Sequence, residues 1–307
     1  MRLVKRYERD IDWNIGCLFA HDDFVIKVIK VCKEAGTDPK ITNVFGSIPC
    51  IFQGGRVPPR TATLSDSFDI LSRYNELNIG CRLTFSNPNI EEKDLSDTTS
   101  NELLNHLNKS SGNGVIVTSD LLAKYIKEKY SNLQIISSQV KPSVEVGLGK
   151  DEVDYYNNLF ELYDIVVVNP MKVHDAKFLK EIKYPEQVEF IANHKCLPNC
   201  PMAGEHYRTV AELCKRMLTQ ADTEKTEKRL DDIMSWCLKT RQKARTSQYS
   251  YQKRRSTKKA KLLITRMRFW IMQLMRCRNV LKQCWNAECS LMKTQFRLYS
   301  VAYLMTS

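Results

Sequence analysis

The sequence predicts an α/β fold: an incomplete (β/α) barrel-like body followed by a basic tail that is helical or disordered. Three observations predict it. First, short apolar, strand-like runs alternate with helix-period segments up to about residue 214, the pattern of a parallel sheet covered on both faces. Second, all eleven glycines lie at or before Gly204 and all ten prolines at or before Pro201. A folded domain carries roughly 5–7% of each, so the remaining stretch has no turn punctuation. Third, charge divides at the same place. Of 47 Lys+Arg and 35 Asp+Glu, residues 201–307 hold 23 and 8, leaving 24 and 27 for residues 1–200. From Ile233 onward there are 17 basic residues and a single acid, Glu288.

The body reads in order. Asp22 to Ala35 opens with acids, has apolar residues at helical spacing and stops at Gly36. Ile41 to Gly46 is a β-branched and aromatic strand, followed by the loop SIPCIFQGGRVPPR. Leu64 to Leu77 is helical, and Asn78 to Ser86 is a strand ending at Asn87-Pro88. Ser100 to Lys109 is a helix and Gly114 to Thr118 a buried strand. Ser119 and Asp120 are N-cap residues for a helix to about Tyr130. Leu133 to Ser137 is the next strand, Asp151 to Tyr163 a helix and Asp164 to Val168 a strand. Val173 to Lys183 is a short helix, and Val188 to Ala192 the sixth strand.

The strands finish in small polar residues: Ser47, Ser86-Asn87, Thr118-Ser119, Ser137-Ser138, Asn169 and Asn193-His194. In a β/α barrel those ends meet on one face, which carries the chemistry. A doubly wound sheet is the rival, but no strand is followed by a G-x-G-x-x-G turn. The barrel is favoured, with six strands visible. Candidate substrate contacts on that face are Arg56, Asn87, Lys141, Asn169 and His194. Arg56 follows two glycines and reads either as an anion contact or as a loop residue. Lys141 reads either as an anion contact or as a solvated surface lysine.

The densest chemistry lies between Gln187 and Cys214. There an apolar run breaks into His194, Cys196, Cys200, His206 and Cys214, with Pro198 and Pro201 keeping the loop out of a helix. A strand that delivers soft ligands into a rigid loop points to a metal or cluster site. Zinc is one reading, with Cys196, Cys200, His206 and Cys214 as three thiolates and an imidazole. A radical-SAM triplet is excluded because position 203 is Ala. Ordinary reduced thiols are the remaining alternative. Ser47 and Ser119 lie near strand ends, but nothing pairs either with a base and an orienting acid, so no protease constellation emerges.

Five stretches carry a family resemblance in order and spacing: FGSIPCIFQGGR (Phe45–Arg56), GCRLTFSN (Gly80–Asn87), NGVIVTSDLLAKYI (Asn113–Ile126), DIVVVNP (Asp164–Pro170) and VEFIANHKCLPNCP…EHY (Val188–Tyr207). Over residues of roughly 40–214 the chain resembles the collagenase-like U-32 peptidase family, in particular its short bacterial and phage members. The resemblance implies a β/α-barrel-like domain and a cysteine-ligated iron–sulfur cluster of the 4Fe–4S type. It also implies oxygen-independent hydroxylation of a quinone precursor or modification of tRNA or rRNA, while other members are classed as proteases. On that basis Cys196 matches the family cysteine after the sixth strand, Cys200 is its close partner and Cys214 a third ligand. Cys50 or Cys81 is the fourth.

The expected organisation is therefore a domain over residues 1–214 and a basic tail over 215–307. Three readings of the tail compete: an RNA-gripping helical arm, an amphipathic helix on a membrane surface, or a frame-shifted segment outside the fold. Leu262 to Met275 is too short for a membrane span and is broken by Arg266 and Arg268. Met1 to Asp12 is charged and has no apolar core for export, so reduced cysteines and a cytoplasmic protein are expected. The leading expectation is an iron–sulfur-binding accessory or modifying enzyme acting on RNA or a small aromatic molecule, with a partner subunit as a further possibility. The alternative is a non-enzymatic RNA-binding module acting through its tail, with zinc or no metal in the loop.

Overall fold

The computed structural model describes residues 12–34, 41–54, 62–147, 149–191, 197 and 199–252. The chain divides into two compact units, Met1–Lys239 and Thr240–Ser307. Of the second, the described part is residues 240–252, which are helical.

Among the described residues, seven parallel strands form one sheet in strictly sequential order: β1 (Trp13–Gly16), β2 (Ile41–Gly46), β3 (Gly80–Phe85), β4 (Gly114–Val117), β5 (Gln134–Ser137), β6 (Ile165–Val168) and β7 (Val188–Phe190). The intervening α-helices are α1 (Asp22–Glu34), α2 (Leu64–Glu76), α3 (Thr98–Leu107), α4 (Asp120–Lys129), α5 (Val140–Glu145), α6 (Val153–Leu159) and α7 (Ala176–Glu181). Parallel crossovers are right-handed, so a sequential order keeps every crossover helix on one side and leaves the other side as an interior. A doubly wound sheet would reverse its order partway. Among the described residues, two helices follow the sheet, α8 (Ala203–Leu218) and α9 (Glu224–Gln252).

Alternation along each strand sorts the two faces. On β3, Cys81, Leu83 and Phe85 are buried against the helices, and the Cys81 thiol lies 3.8 Å from the Leu71 carbonyl of α2. Arg82 points the other way. Its Nη1 reaches Glu189 Oε2 of β7 at 2.6 Å, and its Nη2 reaches Gln134 Oε1 of β5 at 3.1 Å. In a flat sheet β3 and β7, four strands apart, would be separated by about 19 Å, more than an arginine and a glutamate together can bridge. The sheet is therefore curled into an open half-barrel. Its main core, including Val44, Leu83, Phe85, Val115, Val117, Ile135, Val166 and Val168, sits between sheet and helices.

Local chemistry fixes the elements. Thr63 and Asp66 form a reciprocal capping box on α2. Asp97 caps α3 through the Ser100 amide at 2.9 Å, and Ser119 caps α4 as expected. Asn113 locks the entry to β3 and β4: its Oδ1 accepts from the Cys81 amide and from Asn75, and its Nδ2 donates to Asn75 and to the Leu107 carbonyl. A side chain at Gly80 would overlap the Gly112 carbonyl and Asn43, so only glycine fits there.

The departures from expectation are specific. β1 was not visible as a strand, and α5 was not visible as a helix. The 151–163 helix is shorter, and the 173–183 helix is split into a 3-10 turn, Pro170–His174, followed by α7. Asp175 causes the split, leaving the helix and capping α7 through the amides of Lys177 and Phe178.

Candidate functional site

The polar residues at the strand C-termini are engaged by the fold itself. Asn87 is fully buried: its Nδ2 donates to the Ile51 carbonyl at 2.6 Å, its Oδ1 accepts from the Asn89 amide at 2.8 Å, and its own amide donates to the Phe52 carbonyl. It clamps the loops after β2 and β3 together. Asn169 donates from Nδ2 to Asp151 and accepts from the Met171 amide, opening the 3-10 turn after β6. Thr118 Oγ1 donates to the Ser86 carbonyl, and Ser138 Oγ accepts from the Val140 amide.

Lys141 departs furthest from a solvated surface lysine. It is 0% exposed and donates to the Thr118 carbonyl at 3.2 Å, Asp120 Oδ1 at 2.6 Å and Glu145 Oε1 at 2.5 Å. An ammonium has three donors, so none remains for a substrate anion. Tyr163 donates to Asp120 at 2.7 Å and Tyr155 to Glu145 at 2.8 Å. Burial alone would raise the Asp120 carboxyl. Hydrogen bonds from Lys141 and Tyr163 outweigh it and hold the group below its ordinary value. The signal missed in the sequence was the pairing of Lys141 with Glu145 one helical turn on.

The described cysteines do not converge. Cys81 is the second residue of β3 and faces α2, at the end of the strand opposite the mouth and on the outer face. Its thiol is pushed up to about 12 by burial. Cys50 lies in the loop after β2 and is buried. Burial pushes its thiol up to about 11, against the opposing pull of a hydrogen bond with Ser100. Cys200 precedes α8, whereas Cys214 lies three turns into it, about 16 Å beyond Ala203 at the helical rise per residue. Thiolates bound to one metal ion at about 2.3 Å sit within about 5 Å of each other, so Cys200 and Cys214 cannot share an ion. Among the described residues no group of three or more His, Cys, Asp or Glu side chains is placed to hold a metal ion. Arg56, His194 and Cys196 lie outside the described residues. His206 is in the first turn of α8, stacked on Tyr207 with 5.9 Å between ring centroids.

α8 packs against α5 and the loops that follow β2 and β3. Ala203, Tyr207 and Ala211 are buried along one stripe of it, and Cys214 Sγ lies 3.9 Å from Gln53 Oε1 of the loop after β2. Asn89 donates to the Arg208 carbonyl at 2.8 Å, Arg208 donates to the Val144 carbonyl of α5 at 2.8 Å, and Lys215 pairs with Asp94 at 2.6 Å and Glu91 at 3.2 Å. The opposite stripe meets α9 through Arg229–Glu205 at 3.0 Å and Thr226–Glu212 at 3.4 Å, and Ile233 of α9 is buried.

A Ser–His pair does occur, on the helical layer: Ser72 Oγ lies 3.3 Å from His106 Nε2. Lys109 Nζ lies 3.4 Å from His106 Nδ1, and an ammonium can only donate. The ring hydrogen therefore belongs on Nε2, which donates to Ser72 instead of taking its proton. Burial, then Lys109, lowers the His106 pKa. This pair is not a nucleophile and base.

No protein-family model matches the chain, and no curated protein matches it. A solved structure, that of the U32 peptidase Mk0906, is similar at 15% sequence identity over 66% of this chain and 76% of that one, with a TM-score of 0.47. The assignment to an open half-barrel rests on strand order and curl.

Proposed function

We propose that this protein is an RNA-binding module that uses its basic C-terminal segment and carries the half-barrel as a scaffold. The observation that supports this reading is the charge division, 17 basic residues against one acid from Ile233 onward. Chains of this kind bind by neutralising phosphates and releasing counterions. Tyr249, Tyr251 and Trp270 lie among those cations and offer stacking surfaces for bases. The strand-end groups expected to bind substrate, by contrast, are occupied within the fold: Lys141, Asn87 and Asn169 each have their polar atoms engaged. Iron–sulfur-dependent modification receives no support from the spread of Cys50, Cys81, Cys200 and Cys214.

The test is a titration of fluorescent single-stranded RNA at several salt concentrations, comparing the intact chain with a variant carrying glutamine at Lys239, Arg241, Lys243, Arg245, Lys253, Arg254 and Arg255. For single strands log K falls with log[salt] by about 0.7 per phosphate neutralised. The variant binds more weakly and with a flatter slope. Equal slopes for the two proteins would sink the reading.

A zinc ion at the loop before α8 is a second reading, supported by one observation. The Ala203 amide donates to the Cys200 carbonyl and the His206 amide to the Met202 carbonyl, so Cys200 and His206 belong to the same end of α8. Cys196 would complete a local set with them. Stoichiometric zinc that is lost in Cys200→Ala supports it, and metal-free protein with unaltered folding removes it.

A further inference from the structure

We propose that two copies of this chain pair through α9, lying antiparallel along a stripe that is complementary to itself. The inference does not rest on the RNA reading, because it concerns the protein free of nucleic acid.

The stripe stands apart from the face that holds α9 in place. Thr226 and Ile233 are buried, Thr226 lies 3.4 Å from Glu212 of α8, and Arg229 pairs with Glu205 at 3.0 Å. That face serves the fold. About a third of a turn around the helix, at about 3.6 residues per turn, are Met234, 39% exposed, and Leu238, 62% exposed. They are one helical turn apart and share a line along the surface. The preceding members of that line, Glu227 and Asp231, are exposed as well. At the same spacing the helix next reaches Arg241 and Arg245. Positions 227, 231, 234, 238, 241 and 245 are separated by four and three residues in turn, the seam of a two-helix coiled coil.

The order along this seam, acids first, then apolar residues, then bases, specifies the partner. A second copy laid antiparallel about position 236 sets Met234 against Leu238, Asp231 against Arg241, and position 227 against position 245. Two-fold symmetry repeats each pairing, which is the isologous arrangement of a closed dimer. A parallel copy would set Asp231 on Asp231 and Arg241 on Arg241, and like charges disfavour it. The pattern read backwards is its own complement, so a second copy of this chain is the occupant it fits. The apolar contribution comes from Met234 and Leu238 alone, so the pair belongs with small interfaces that form and dissociate reversibly. Its flanking ion pairs make it weaken with salt.

Sedimentation equilibrium on the full chain, freed of nucleic acid and run at low salt over a range of concentrations, tests this. The wild type passes from the monomer mass to twice that mass as concentration rises. Leu238→Glu, a change at an exposed position of the monomer, raises the dissociation constant by about a hundredfold, since each dimer loses two buried leucines. Asp231→Arg and Arg241→Asp each raise it by about tenfold, because a pair of opposite charges becomes a pair of like charges. The double variant restores association, since each arginine again faces an aspartate. Restoration is a gain that damage to the fold cannot produce. The proposal is overturned by wild-type protein that stays monomeric at every concentration, by a dimer that Leu238→Glu leaves intact, or by a double variant that associates no better than either single one.

Discussion

Lys141→Met separates a lysine that builds the fold from one that waits for a ligand. Methionine keeps the length and apolar stem of the side chain, so the change is chiefly the loss of the ammonium. In the wild type that ammonium is fully buried against the Thr118 carbonyl, Asp120 and Glu145. Removing one partner from a fully desolvated pair destabilises by about 3–5 kcal/mol. Here the Asp120 and Glu145 side chains are 52% and 35% exposed and can recover water, and Tyr163 and Tyr155 continue to donate to them. The expected loss is therefore about 2 kcal/mol, discounted for that screening. A solvated lysine would change stability by less than about 0.5 kcal/mol.

Urea unfolding followed by far-UV circular dichroism measures the difference, which amounts to about 1 M in midpoint at an ordinary m-value. The pH dependence supplies a second check. Asp120 has a depressed folded pKa, so its contribution is present above its ordinary unfolded value and is lost as pH falls through the folded one. The gap between wild type and variant is therefore widest near neutrality and narrows on acidification. A gap below about 0.5 kcal/mol at neutral pH, or one that widens with acid, would refute the structural role of Lys141.

Other consequences can be measured separately. Arg82→Met and Glu189→Leu each break the bridge across the barrel interior and should destabilise by about 3 kcal/mol, whereas the double variant should regain most of that loss, because removing a buried pair together leaves no unpaired charge; double-mutant unfolding curves report it. Asn169→Ala leaves Asp151 and the Met171 amide short of a partner and should lower stability by about 1–3 kcal/mol in the same assay. The Cys81 and Cys50 thiols, raised to about 12 and about 11 by burial, should resist a thiol reagent at neutral pH and react only on unfolding. Protein purified anaerobically should lack stoichiometric iron, as metal analysis can determine; iron lost in Cys200→Ala would restore the cluster reading.

The fold was legible where periodicity and turn chemistry agreed. β2 to β6 are short apolar runs ending at small polar residues, and α1 to α4 have helical spacing with recognisable stops or caps. β1 escaped because Trp-Asn-Ile-Gly is four residues with no sustained alternation. α5 escaped because Val-Lys-Pro-Ser-Val-Glu carries an internal proline, which is tolerated in its first turn. The site was less legible because the same residue types serve turns and ligands. Asn87 and Asn169 look like substrate contacts until their partners are known, since asparagine at a strand end is also ordinary loop chemistry. Lys141 could not be placed without knowing that Asp120, Glu145 and two tyrosines would meet it. Cys200 and Cys214 look like neighbours only until the helix between them is measured.

The most direct experiment is the salt dependence of RNA binding by the intact chain and the seven-glutamine variant. The expected result is binding that weakens steeply with salt for the intact chain, and a clearly flatter slope, with lower affinity at every salt, for the variant. Binding that ignores salt, or a variant that binds as tightly and as steeply as the intact chain, would place the function away from the basic segment and back at the half-barrel.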